Sequence, residues 1–303
     1  MNYKKILTVF TTLFLFLSCS TGASNEKSSS LLWEVSGNGL QKPSYIFGTH
    51  HLVPVSFLDS IPGIEAAFEA TDQTVGELDM SDMPEMQMKI MGEAMMPPEV
   101  TYETLLPQED VALVDSMLRD ILGVGLAQMG QLKPAMLSNL ISVSLYQQYY
   151  PSITSDQNVD QYFQQEALKR SRPVVGLETV EDQIYVLLNA QPLERQAELL
   201  ACMVQHPEML KEQMDRLQAA YHAQDIGALR QLYEEENPDD PCPSTQKEMD
   251  LLNGDRNKKW LEKLPAILQE KSSFIAVGCM HLPGDDGIIE GLRKLGYTVE
   301  AVK

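Results

Sequence analysis

Short apolar runs of about five residues alternate along the chain with longer stretches in which apolar residues return every three or four positions. The first pattern predicts strands and the second amphipathic helices. Strands are predicted at 31–36, 43–48, 74–78, 173–177, 273–278 and 297–302. Helical patterning covers 59–70, 82–96, 108–122, 133–149, 159–170, 179–189, 192–223, 225–236, 246–269 and 286–295. Gly37-Asn38-Gly39, between the first two strands, predicts a hairpin turn. Strands alternating with helices indicate an α/β fold with a mixed central sheet flanked by helices. The run from 78 to 273 holds a single strand, so a large helical insertion is expected. No period of 20 to 50 residues repeats, which removes solenoids and propellers.

The N-terminus changes what counts as the mature protein. Lys4 and Lys5 precede an apolar run from Ile6 to Leu17 that is too short and wrongly flanked for a permanent membrane span. Residues 1–18 read as a secretory signal. Phe16-Leu17-Ser18-Cys19 resembles a bacterial lipobox, in which Cys19 is acylated and becomes the new N-terminus; ordinary signal-peptidase cleavage nearby is the alternative. Residues 19–30 are polar and Ser-rich, a flexible tether, and 31–303 forms the folded domain.

Without the leader, 21 basic residues face 43 acidic ones, a formal charge of −22. So acidic a chain argues against a nucleic-acid partner and against an electrostatic grip on anionic lipid. Contact with a membrane is therefore expected through the lipid on Cys19, which places the protein outside the cytoplasm. Apart from the acylated Cys19, three cysteines remain, and an odd count in an oxidising compartment suggests one disulfide and one spare thiol. Cys242 ends a Pro- and Asp-rich loop that needs fastening, so Cys202–Cys242 is the expected pair, with three free thiols as the alternative. Cys279 lies in an apolar run and is expected to be buried.

Four predicted strands share one feature. Tyr45-Ile46-Phe47-Gly48 runs into His50 and His51, Thr74-Val75-Gly76 into Glu77 and Asp79, Val174-Val175-Gly176-Leu177 into Glu178, and Ile275-Ala276-Val277-Gly278 into His281. Each delivers a His or a carboxylate at its C-terminal end, the edge where open α/β sheets bind ligands. A lone His after a strand is usually an ordinary hydrogen-bonded residue; the recurrence points to a site. His206 and His222 follow no strand and read as surface residues.

Two of these elements share Gly-x-x-His, at Gly48 with His51 and at Gly278 with His281. Together with Gly48-Thr49-His50-His51, Glu77, Gly176-Leu177-Glu178-Thr179 with Glu181 and Gln183, Arg256-Asn257 with Trp260, and Gly278-Cys279-Met280-His281-Leu282-Pro283-Gly284, the chain resembles the TraB/GumN family, to which the TIKI proteases are related. The resemblance spans 31–302 and implies an EreA/ChaN-like fold. It implies one of three activities: metal-dependent peptide hydrolysis, peptide sequestration as in pheromone-shutdown relatives, or metal or haem carriage. Fold alone does not choose among them.

The resemblance also implies a metal centre. Two neutral imidazoles and one carboxylate suit Zn, Mn, Co or Fe(II) and leave positions for water and substrate. His51, Glu77 and His281 are the assigned ligands, with His50 as the alternative to His51. Glu178 is the catalytic base or a partner of the ligands, and can exchange roles with Glu77. Asp79, two residues on in the same predicted strand, is expected to share Glu77's face. Glu178 also precedes Thr179, a potential helix cap. Arg256 and Trp260, four apart on a helix, can stack, and Arg256 is assigned to hold a substrate carboxylate or the ligand Glu. Seven methionines fall between Met80 and Met96, of which Met88, Met91 and Met95 stand at helical spacing and predict a flexible apolar face. The implied partner is a peptide or protein substrate.

The mature chain has no other predicted membrane-binding segment, so Cys19→Ala is expected to move the protein from the membrane to the soluble fraction. Unchanged membrane fractionation of that variant would refute the lipid anchor.

Overall fold

The computed structural model describes residues 30–151, 158–235, 237 and 240–303. The signal segment, Cys19 and all of the tether but Ser30 lie outside the described residues. Among the described residues no helix is long and apolar enough to cross a membrane.

Strands β1 (Leu32–Gly37), β2 (Ser44–Thr49), β3 (Gln73–Gly76), β4 (Val174–Gly176), β5 (Ser273–Gly278) and β6 (Tyr297–Ala301) form one sheet, in the order β4-β3-β5-β2-β1-β6. β4, β3, β5 and β2 run parallel; β1 and β6 complete the sheet antiparallel. The predicted hairpin joins β1 to β2, with Gly37, Asn38 and Gly39 all at positive φ. That run of left-handed residues is why Gly and Asn occupy it. β5 is buried at every position, as suits a strand covered on both faces. The edge strand β6 alternates buried and exposed over its first four residues.

Register decides where the site can be. Thr49 pairs with Gly278, and Gly76 pairs with both Ala276 and Gly176. The four parallel strands thus leave the sheet at one edge, within two residues of one another. Behind them Phe47, Phe68, Phe163 and Phe274 interlock, with the Phe163 and Phe274 ring centroids 4.5 Å apart.

The expected helical insertion carries a core of its own. Helices Gln108–Leu122, Pro134–Tyr149 and Leu193–Gln205 pack Val114, Leu118, Leu137, Tyr146 and Leu200 into a cluster separate from the sheet's. Two long predicted helices are each broken. The 192–223 stretch divides at His206, because Pro207 has no N–H and its ring would clash with the preceding turn. The 246–269 stretch divides at Asn253, whose side chain is taken by the carbonyl of Met280 at 2.7 Å. Helix Val180–Ile184 starts on a Thr179–Asp182 capping box and ends in a π-helical turn at Tyr185–Asn189.

One strand is shorter than its pattern predicts. β3 stops at Gly76 because the Leu78 carbonyl and the Met80 amide are claimed by the side chain of Gln164, each at 2.8 Å. Asp79 therefore does not share Glu77's face. It is exposed, and its carboxylate accepts from the Ser81 amide.

Cys202 and Cys242 form the expected disulfide across a sequence separation of 40, with Cα atoms 5.9 Å apart, and Cys279 is free and buried. Closing a loop of that size restricts the unfolded chain by about 4 kcal/mol. The double variant Cys202→Ser, Cys242→Ser is expected to lose stability of that order in denaturant titration, and an unchanged midpoint would contradict it.

Candidate functional site at the sheet edge

The four parallel strands place their following residues around Gly278. His51 lies two residues beyond β2, Glu77 one beyond β3, Glu178 two beyond β4, and His281 closes a 3-10 turn, Cys279–His281, after β5. A Cβ on Gly278 would sit 3.1 Å from Glu77 Oε1, 3.5 Å from His51 Nε2 and 3.5 Å from His281 Cδ2. Glycine is thus what allows these three side chains to meet over the backbone, and the Gly278 amide donates to Glu77 Oε1 at 2.9 Å.

Helix Gly254–Glu270 supplies the cation. Arg256 Nη2 donates to Glu77 Oε2 and Glu178 Oε1, each at 2.6 Å, and Arg256 Nε donates to Glu178 Oε2 at 3.1 Å. One turn on, Trp260 lies under the guanidinium at 4.8 Å, gives its indole N–H to Glu178 Oε2 at 3.3 Å, and packs its ring 4.4 Å from that of His281. Gln183 Nε2 adds a donor to Glu77 Oε2. Burial favours the neutral form of Glu77, but Arg256, with help from His281, His51 and the Gly278 amide, holds its carboxyl well below the usual range. Burial likewise opposes the charge on Arg256, and Glu77 and Glu178 hold it raised. Arg256 thus both stacks on Trp260 and pairs with Glu77 and Glu178.

The two histidines are held differently. Asn257 Nδ2 donates to Asn253 Oδ1, the His281 carbonyl and the Asp286 carbonyl. Its Oδ1 is then left to accept from His281 Nδ1, at 2.7 Å. His281 therefore carries its lone pair on Nε2, which accepts from Arg256 Nη1 at 3.0 Å. Burial and the Arg256 charge push His281 down to about 3, so it is neutral. His51 Nδ1 instead faces Asp160 Oδ2 at 2.7 Å, and Asp160 Oδ1 accepts from Thr49. Burial would lower His51, but the charge and hydrogen bond of Asp160, with Glu77, hold it at about 9.

His50 turns away from this cluster, between Tyr146 and Tyr221 at 5.4 and 5.3 Å. Its Nδ1 accepts from the Leu52 amide, and among the described residues its Nε2 is buried without a partner. Burial, then the charges of His51 and His222, lower it to about 3. Cys279 is no nucleophile at neutral pH, since burial pushes its thiol up to about 12. His222 is exposed, while His206 is half-buried.

Sequence reasoning missed Asp160, and it assigned no role to Asn257 or Gln183. Asp160 follows the helix cap Asn158 and reads as a first-turn acid. Asn257 and Gln183 sit inside the motifs that carry the family resemblance, and that is the signal that could have found them. Among the described residues, no three His, Cys, Asp or Glu side chains stand as a ready set of metal ligands. As the side chains stand, Arg256 Nη1 takes the His281 lone pair and Asp160 favours a proton on His51.

Residues 31–301 match the TraB/PrgY/gumN family. The chain is 23% identical over 331 aligned residues to Metalloprotease TIKI2 of Danio rerio, a match covering 93% of this chain and 62% of that protein. It thus spans less than two thirds of that relative's length. No solved structure matches.

The His51–Asp160 pair generates a pH prediction. A His raised from 6.5 to about 9 on folding contributes stability that is complete below pH 6.5 and lost as pH rises through 9. In metal-free protein the His51 ring resonances are expected to titrate near 9 by NMR. Asp160→Asn should bring that midpoint below 7 and cut stability at pH 6 by on the order of 2–3 kcal/mol. A His51 midpoint unmoved by Asp160→Asn would contradict the assignment.

Proposed function

Because the chain belongs to the TraB/PrgY/gumN family, we propose that it is a metal-dependent hydrolase, a peptidase acting outside the cytoplasm while tethered through lipid on Cys19. The observation that carries this reading is the convergence of His51, Glu77 and His281 about Gly278, with both imidazoles anchored through Nδ1. A carboxylate or amide on Nδ1 is how proteins orient a His that offers Nε2 to a metal. His281 Nε2 and Glu77 Oε1 are 3.9 Å apart. The donor set fits a divalent ion such as Zn, Mn, Co or Fe(II) on two conditions: Arg256 Nη1 withdraws from His281, and His51 gives up its Nε2 proton.

A bound ion would supply a hydroxide near neutral pH and a polarised scissile carbonyl. The chain's own residues do the rest. Asp160 and Asn257 fix the orientation of His51 and His281. Glu178, across from Glu77 on the neighbouring loop, takes the proton from the attacking water and passes it to the leaving amine. Arg256 keeps Glu178 in place and, once free of His281, has an N–H to offer a substrate carboxylate. The acidity of the chain and the resemblance to a metalloprotease favour a peptide or protein over nucleic acid as substrate.

A second reading is peptide binding without cleavage. It is favoured by the position of Arg256 on the His281 lone pair, which keeps the cluster closed as it stands.

Peptide-library cleavage by the purified protein, with and without chelator, separates the two. The peptidase reading expects cleavage that chelator abolishes and a divalent metal restores. Glu178→Gln should keep the metal and lose roughly a hundredfold or more in rate. His51→Ala and His281→Ala should lose the metal, and His50→Ala should keep it. Peptide binding without turnover under every metal tested would move the assignment to the second reading.

A further inference from the structure

A second recess, sharing no residue with the sheet-edge cluster, opens in the helical insertion between helices Pro134–Tyr149, Leu193–Gln205 and Pro207–His222. Its interior volume is about 70 Å³. Leu199, Met203, Met209, Leu210 and the Cys202–Cys242 disulfide give it apolar walls. Methionine walls adapt to side chains of different shape, and the disulfide fixes one side of the opening.

Ser138, Ser142, Gln191 and Gln213 also line it, and two further polar features limit what such a recess can hold. Asn139 lines it, and among the described residues Asn139 Oδ1 is buried with no hydrogen-bond partner. The neighbouring amide shows the contrast. Gln196 donates to the carbonyls of Leu188 and Gln191 and accepts from the Ala135 amide, so it is fully engaged within the chain. A buried acceptor without a donor is rare in folded proteins, and a water or a donor group of a bound molecule satisfies it. The second feature is charge. Asp240 lines the recess and, among the described residues, no Lys or Arg does; the lining's His206 lies 3.6 Å from Glu208, on a chain of formal charge −20.

An occupant must therefore bring a bulky apolar group, an N–H or O–H donor beside it, and no negative charge. A fatty acid fails the last condition, because its carboxylate would face Asp240 with only His206, itself beside Glu208, as a counter-charge. A peptide meets all three when a large apolar residue is flanked by Lys or Arg. We propose that this recess is a peptide-binding exosite. It takes one large apolar side chain of a cationic peptide and gives Asn139 Oδ1 as acceptor to the adjacent backbone N–H. The exosite stands independently of the hydrolase reading, since capture here involves none of the sheet-edge residues.

The test is fluorescence anisotropy with the mature protein in chelator, so that bound peptide is not cleaved. The probe is fluorescein-labelled Lys-Ala-Phe-Ala-Lys, compared with the same peptide carrying Ala in place of Phe and with one N-methylated at Phe. The Phe peptide is expected to bind about tenfold or more tightly than the Ala peptide. Met209→Trp, which fills the recess from a half-buried position, should weaken binding by about tenfold. N-methylation should weaken binding to wild type but make no difference to Asn139→Leu. Thermal melts check that both variants fold, and Met209→Trp decides alone if Asn139→Leu does not. Binding that ignores the Phe, or that Met209→Trp leaves at wild-type strength, would overturn the exosite. Loss of binding in His281→Ala with wild-type binding in Met209→Trp would place the peptide at the sheet edge instead. Failure of the protein to cleave any peptide leaves this result untouched, so the two readings fail separately.

Discussion

The arrangement at the sheet edge depends on one buried cation. Glu77 and Glu178 emerge from neighbouring parallel strands and would repel each other in a site that water scarcely reaches. Arg256 lies between them with three charge-assisted hydrogen bonds and the face of Trp260 beneath its guanidinium. Removing one partner of such a set strands the others without compensation, at a cost of about 3–5 kcal/mol. The same guanidinium reaches His281. Arg256 thus links the loops after β3, β4 and β5 to helix Gly254–Glu270, and it decides whether His281 has a lone pair to give.

The sheet geometry makes that link possible. Parallel strands in matched register end together, and each ends on or near a glycine. At Gly278 the missing Cβ is the space in which Glu77, His51 and His281 approach. The helical insertion reaches the same edge from the other side, through Tyr221, whose hydroxyl donates to the Gly48 carbonyl at 3.1 Å, and Tyr146, which faces His50. The strand bearing His51 is therefore held by both cores. Adjacent histidines serve opposite ends, His51 toward the polar cluster and His50 into the apolar seam between the cores.

What can be read from the sequence follows from locality. Strand ends are local, so an apolar run closing on glycine and then His or Glu is enough to mark His51, Glu77, Glu178 and His281. The hairpin, the insertion and the Cys202–Cys242 pairing are legible for similar reasons of pattern and spacing. The partners that orient those side chains come from distant helices, and nothing near Asp160 marks it as the partner of a His more than a hundred positions away. Asp79 is misplaced by pattern alone because alternation continues past Gly76 in the sequence, while Gln164, a residue remote in the chain, ends the strand. The helix breaks at His206 and Asn253 are hidden by apolar periodicity that runs through both, although Pro207 is a visible signal for the first.

His51, Glu77 and His281 are proposed to hold a metal once Arg256 yields one hydrogen bond and His51 gives up its Nε2 proton. Anomalous diffraction from crystals of the protein grown with Mn or Zn tests this directly. The expected result is a peak bonded to His51 Nε2, Glu77 and His281 Nε2, with Arg256 Nη1 withdrawn from His281 and still paired to Glu178. A fully occupied metal elsewhere, or no peak at this edge with Arg256 still donating to His281, would contradict it.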